Sequence, residues 1–143
     1  MLFRSTESVF EYGTRAGFWR ILRMFAQRKM RFTSWAVGRA IELNPAAGRA
    51  MVDAGHEVAS HGWRWLNYKD FTPEMERDHI VRAVAAIRAA TGKAPVGWYT
   101  GRLGMNTLKA VVEHGGFLYS SDSYADDLPY WVDRKSTRLN SSH

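Results

Sequence analysis

The sequence predicts an α/β fold in which a parallel sheet forms an incomplete, irregular (β/α) barrel. Two observations carry this. Short β-prone stretches at 32–37, 57–60, 96–99 and 117–120 are each separated from the next by helical sequence, which dictates parallel pairing through crossovers. Each later stretch is also followed at its C-terminal end by a loop rich in reactive side chains, the usual edge for chemistry in such sheets. Four strands cannot close a barrel, which needs about eight. The chain is therefore expected to be either a small open sheet or a central piece of a larger barrel, and the second reading is preferred.

The elements follow in order. Residues 1–13 lack a clear period, and Val9-Phe10 is read as a strand end or as a loop packed on the core. From Thr14 to Met30 the apolar residues Phe18, Ile21, Leu22 and Phe25 recur at helical spacing. Phe32 to Val37 is the first strand, Gly38 opens a turn, and Arg39 to Leu43 is a brief helix. Pro45 starts another helix running to Ala54, with Gly55 beyond its end. Glu57 to Ser60 is the second strand. Thr72, Pro73 and Glu74 mark a helix start, and the apolar period then runs to a stop at Gly92. Val96 to Tyr99 is the third strand. Asn106 caps the last helix, which ends near Gly115, and Phe117 to Ser120 is the fourth strand.

Composition narrows the function. The hydrophobic share of 45% suits a folded domain. No apolar run approaches the roughly 18 residues of a membrane span, and no secretory leader follows Met1-Leu2-Phe3-Arg4. The absence of cysteine excludes disulfides and thiolate metal sites and fits a cytoplasmic protein. The net charge of +6 falls to +3, 17 basic against 14 acidic residues, once 134–143 is set aside. That excess is too small to argue for nucleic acid. Residues 134–143 have no apolar period and resemble translated adapter sequence, so the expected boundary is a domain over 1–133 and a non-native or disordered tail over 134–143. No phosphate-binding glycine loop is present.

The strand ends supply the site. His61-Gly62-Trp63-Arg64-Trp65 follows the second strand, Thr100-Gly101-Arg102 the third, and Ser121 to Asp127 the fourth. His61 is the candidate acid–base group, against the alternative of a structural histidine. Arg102 suits an anion or carbonyl clamp, against a surface pairing with Asp126 or Asp127. Trp63 and Trp65 lie two apart, so in extended chain both point one way, as substrate wall or as core. Tyr99 completes the wall. Glu11 and Arg15 are weaker candidates, and His79 and His114 are expected on helix surfaces. A metal site is poorly supported: Trp65 stands four residues after His61, and His56 enters its strand at the opposite edge.

At Gly55-His56-Glu57-Val58-Ala59-Ser60-His61-Gly62-Trp63-Arg64-Trp65 the chain resembles the second motif of the polysaccharide deacetylase (NodB-homology) superfamily. Phe10 to Gly17, Gly97 to Arg102 and Ser121 to Trp131 resemble one branch more narrowly, the cofactor-independent allantoinases of urate catabolism. The resemblance implies an irregular (β/α) barrel, often a homo-oligomer, that hydrolyses non-peptide C–N bonds of a small-molecule substrate. Neither nucleic acid nor membrane is implied as a partner. His61 matches the first family histidine and Trp65 takes the place of the second. The implied reaction is ring opening of allantoin without a cofactor; strand-end placement makes His61, Arg102 and Asp126 the catalytic candidates, and Trp63, Trp65, Tyr99, Glu11 and Asp127 are the candidates for binding substrate. The alternative is a polysaccharide or peptidoglycan N-deacetylase using a divalent metal such as zinc, and the non-enzyme alternative is a truncated product or binding module. The family's acidic motif is expected before Met1 and its later strands after Val132, leaving this chain inactive alone.

Overall fold

The computed structural model describes residues 5–131; the expected tail over 134–143 lies outside them. Four parallel strands, β1 (Thr33–Ala36), β2 (Glu57–Ser60), β3 (Gly97–Trp98) and β4 (Tyr119–Ser120), stand side by side in chain order. The β1–β2 register runs from Thr33 opposite Glu57 to Ala36 opposite Ser60. Neighbours in sequence are thus neighbours in space, the order of a winding (β/α) barrel, and the sheet remains open.

Alternation along the strands sorts the side chains onto two faces. Ala36 and Val58 point to the helices, where they pack with Ile41, Met51, Ile87 and Ala90. Trp98 does the same with Ile80, Ala110 and Val111. The intervening residues Trp35, His61 and Tyr99 lie on the opposite face, where their rings meet.

The helices are α1 (Ser5–Tyr12), α2 (Phe18–Gln27), α3 (Gly38–Leu43), α4 (Pro45–Asp53), α5 (Pro73–Thr91) and α6 (Thr107–His114). Pro45 occupies the first turn of α4, and Gly55 leaves that helix with φ of 77°. The Thr72 hydroxyl accepts from the Met75 amide at 3.3 Å, and Gly92 closes α5 with φ of 78°. The long α5 lies under the centre of the sheet and contributes Ile80 and Ile87, both fully buried.

Several expectations change. Val9 and Phe10 belong to α1 and are 70% and 76% exposed, neither a strand end nor core. Nothing in Ser5–Tyr12 breaks a helix, and Gly13 and Gly17 are absorbed in a π-helical turn that runs into α2. Helical backbone therefore runs from Ser5 through Gln27, starting before the expected Thr14–Met30 helix and stopping short of Met30, where Lys29 reverses the chain at φ of 54°. Asn106 sits at the start of α6 without a capping bond from its side chain. The Thr107 hydroxyl, at the first helical position, instead reaches back to the preceding loop, accepting from the Gly104 amide at 2.7 Å. β3 and β4 are two residues each, shorter than expected. His79 is half-buried between the rings of Tyr68 and Phe71 rather than on the surface.

Candidate active site

The C-terminal end of β2 delivers His61. Its amide donates to the Ala36 carbonyl at 2.8 Å, extending the ladder one residue past the strand. Gly62 then turns the chain with φ of 72°, and a side chain there would meet the Tyr68 hydroxyl at 2.8 Å. Its amide donates to the Ser60 hydroxyl at 3.2 Å. The Gly62 and Trp63 carbonyls accept from Gly38 and Arg39 at 2.8 and 2.9 Å, which fastens the turn to the start of α3.

That turn separates the two tryptophans. Trp63 is 4% exposed, touches the position of Gly38 and has the Arg82 guanidinium 4.6 Å above its ring. It is a core residue beneath α3 and α5, so the expected common direction of Trp63 and Trp65 is corrected: the left-handed Gly62 and the bends after it are not extended chain. Trp65 is 66% exposed and stands beside His61, with centroids 6.3 Å apart and planes at 84°.

Three further rings and a cation complete the edge. Tyr99 lies 5.3 Å from His61 at 90°, and Trp35 lies 5.5 Å from Tyr99. The Tyr124 hydroxyl donates to that of Tyr99 at 3.3 Å, a bond that holds the Tyr124 phenol above its ordinary pKa. The Arg102 guanidinium lies 5.0 Å over the Trp65 ring. His61 and Arg102 therefore flank one indole. The His61 Nδ1 and the Thr100 hydroxyl are buried here without a protein partner among the described residues.

The acidic residues fall differently from the expectation. Asp126 accepts from the Leu128 amide at 3.0 Å, closing its own turn, and both Asp126 and Asp127 are exposed. Neither is hydrogen-bonded to His61 or ion-paired with Arg102 among the described residues. Glu11 pairs with Arg15 at 3.8 Å on an exposed helical stretch. Asp122 is the carboxylate that matters. Its Oδ1 accepts from the Thr100 and Gly101 amides at 3.0 and 2.7 Å and joins the ends of β3 and β4. Trp35, Tyr124 and the tie made by Asp122 were missed. The shared pleat of Trp35 and Tyr99 was a usable signal for the first; no sequence signal points to the others.

The donors present do not make a metal set. Among the described residues no group of three histidine or carboxylate side chains converges. His56 is stacked on Phe32 at 3.8 Å, at the far end of β2. The Asp122 carboxylate is taken by backbone amides, and an indole occupies the position four after His61. These side chains by themselves do not fit a divalent ion. The arrangement offers an imidazole for proton transfer, a guanidinium for developing negative charge, and aromatic walls around both.

Comparison with known proteins gives a consistent family. The family model described as polysaccharide deacetylase matches residues 4–115. A Schizosaccharomyces pombe protein named "Putative polysaccharide deacetylase" is 50% identical over 136 residues, covering 90% of this chain and 42% of the relative. A Helicobacter pylori peptidoglycan deacetylase is 30% identical over 125 residues, 85% of this chain and 42% of the relative. The crystal structure of Puue allantoinase superposes with a TM-score of 0.87 at 48% identity, over 94% of this chain and 45% of that one. The chain thus spans less than half the length of the curated relatives it matches.

Proposed function

The chain belongs to the polysaccharide deacetylase family, and from that membership we propose that its His61 edge is part of a hydrolytic site that splits a carbonyl–nitrogen bond. The observation that carries the proposal is the placement of His61 and Arg102 on the same Trp65 ring. His61 orients the attacking water or shuttles its proton. Arg102 stabilises the oxyanion that forms as water adds to the carbonyl carbon, a contribution often of about 3 kcal/mol. Tyr99 and Trp65 form the wall against which the substrate lies. The proton then passes to the leaving nitrogen as the C–N bond breaks.

Two substrate classes share this chemistry. The names of the curated relatives weigh toward N-acetyl groups of a polysaccharide or peptidoglycan, and that reading has the broader support of the comparisons. A small cyclic amide, opened as allantoin would be to allantoate, is supported by the indole in place of a second histidine and by the likeness to an allantoinase structure. The test is a pair of assays on the whole protein that contains these residues: acetate release from N-acetylated glycan, and allantoate formation from allantoin. Glycan turnover that chelators abolish selects deacetylation, and allantoin turnover that chelators leave intact selects ring opening. Unchanged turnover of both in His61→Ala would remove the site from the mechanism.

A further inference from the structure

Glu76 is fully buried in the first turns of α5, and its Oε1 has no hydrogen-bond donor among the described residues. A buried carboxylate with one unsatisfied oxygen is costly, and an apolar residue would serve a merely structural role better. What Glu76 holds is the loop that carries Arg102. Its Oε2 accepts a short hydrogen bond from the Thr107 hydroxyl, and that hydroxyl in turn accepts from the Gly104 amide at 2.7 Å. Gly104 lies so close that a side chain there would stand 2.8 Å from Glu76 Oε1 and 2.5 Å from the Tyr68 carbonyl. Two residues further back, the Arg102 carbonyl accepts from the Tyr68 amide at 3.3 Å. At the other end of the loop, Asp122 grips the amides of Thr100 and Gly101. Arg102 is therefore held by three ties: Asp122 before it, the Tyr68 amide on its own carbonyl, and after it the Gly104–Thr107 chain, which ends on a carboxylate inside the helix layer.

We propose that Glu76 is a positioning residue for Arg102, acting through Thr107 and Gly104 to hold the guanidinium over Trp65. The proposal rests on the reading that Arg102 serves the site, but its test does not need turnover. The ring of Trp65 displaces the Arg102 side-chain N–H signals upfield in the nuclear magnetic resonance spectrum, and the displaced signals are identified by their loss in Trp65→Ala. Thr107→Val, which removes the hydroxyl, is expected to abolish the displacement, and Thr107→Ser, which keeps it, to preserve it. Displacement that persists in folded Thr107→Val overturns the proposal, as does its absence from the parent protein. If Thr107→Val does not fold, Glu76→Met tests the same tie from the helix side by removing the acceptor of the Thr107 hydroxyl: loss of the displacement supports the proposal and its persistence overturns it. In turnover, Thr107→Val and Arg102→Ala are expected to be strongly non-additive. Turnover indifferent to Arg102→Ala would remove Arg102 from the reaction while the spectral result still decides what Glu76 holds.

Discussion

The imidazole of His61 meets the phenol ring of Tyr99 edge to face, with centroids 5.3 Å apart and planes at 90°. The two side chains come from neighbouring strands, joined where the Tyr99 amide donates to the Ser60 carbonyl at 3.0 Å. With Trp65 on another side, the imidazole is oriented by rings, while its Nδ1 has no carboxylate or other protein partner among the described residues. Aromatic contacts of this kind contribute about 0.5–1.5 kcal/mol beyond the area they bury. Tyr99→Phe keeps the ring and gives up the bond to Tyr124, so kcat is expected to stay within about threefold of the parent, a change of under 1 kcal/mol. Tyr99→Ala removes the ring and is expected to lower kcat by at least tenfold through loss of His61 orientation, about 1.4 kcal/mol or more. Steady-state kinetics on the two variants checks this, and equal losses in both would assign the effect to the hydroxyl.

Arg102 and Trp65 form an exposed cation–π pair, which contributes only about 0.5–1 kcal/mol to stability. Arg102→Ala is therefore expected to leave the urea midpoint nearly unchanged. In the proposed role the same change removes an oxyanion donor, which lowers kcat about 100- to 1,000-fold. Arg102→Lys keeps the charge but not the planar fork, and is expected to recover a small part of the loss. A large fall in stability with modest kinetic loss would reverse the assignment.

What was legible in the sequence followed from periodicity and turn chemistry. Thr72 and Pro73 announce the start of α5, Gly92 its end, and Glu57 to Ser60 match β2 residue for residue. The pleat places Trp35, His61 and Tyr99 on one face once the register of the strands is known. What was not legible depended on backbone that departs from regular structure. The left-handed Gly62 sends Trp63 inward and leaves Trp65 outside, which alternation along an extended strand cannot anticipate. Asp122 and Asp126 read alike as loop aspartates, yet one joins two strand ends and the other caps its own turn. Residues 5–12 read as irregular because α1 is exposed over its described side chains and so lacks the apolar stripe that marks a packed helix.

Gly62→Ala tests the turn that presents His61. The position combines φ of 72° with a contact 2.8 Å from the Tyr68 hydroxyl, itself on a fully buried ring. Strain and overlap together are expected to destabilise the fold by about 2–3 kcal/mol. Gly92→Ala is the control: its φ is 78°, but nothing lies within 4 Å of the added carbon. That change is expected to lower stability by only about 1 kcal/mol, from the backbone alone. Urea denaturation of both variants compares them, and equal losses would show that Tyr68 yields without resistance.

Acid should weaken the fold through two imidazoles, one buried and one half-buried, that do no work at the candidate site. His56 is held below its ordinary pKa by burial first and by Arg31 second; its Nδ1 accepts from the Phe32 amide, a bond only the neutral ring can accept. Burial also lowers His79, with Arg82 and Arg64 adding to it and Asp78 opposing. In the unfolded chain both titrate near 6.5. Below that value the unfolded state binds more protons than the native state, so stability rises with pH through this window. It is complete above about 6.5 and is lost as pH falls toward the native values. Urea midpoints are accordingly expected to be lower at pH 5 than at pH 7.5. His79→Phe, which fills the space between Tyr68 and Phe71 without a titrating group, is expected to make that dependence shallower. A pH dependence no shallower in His79→Phe than in the parent would remove His79 from the effect.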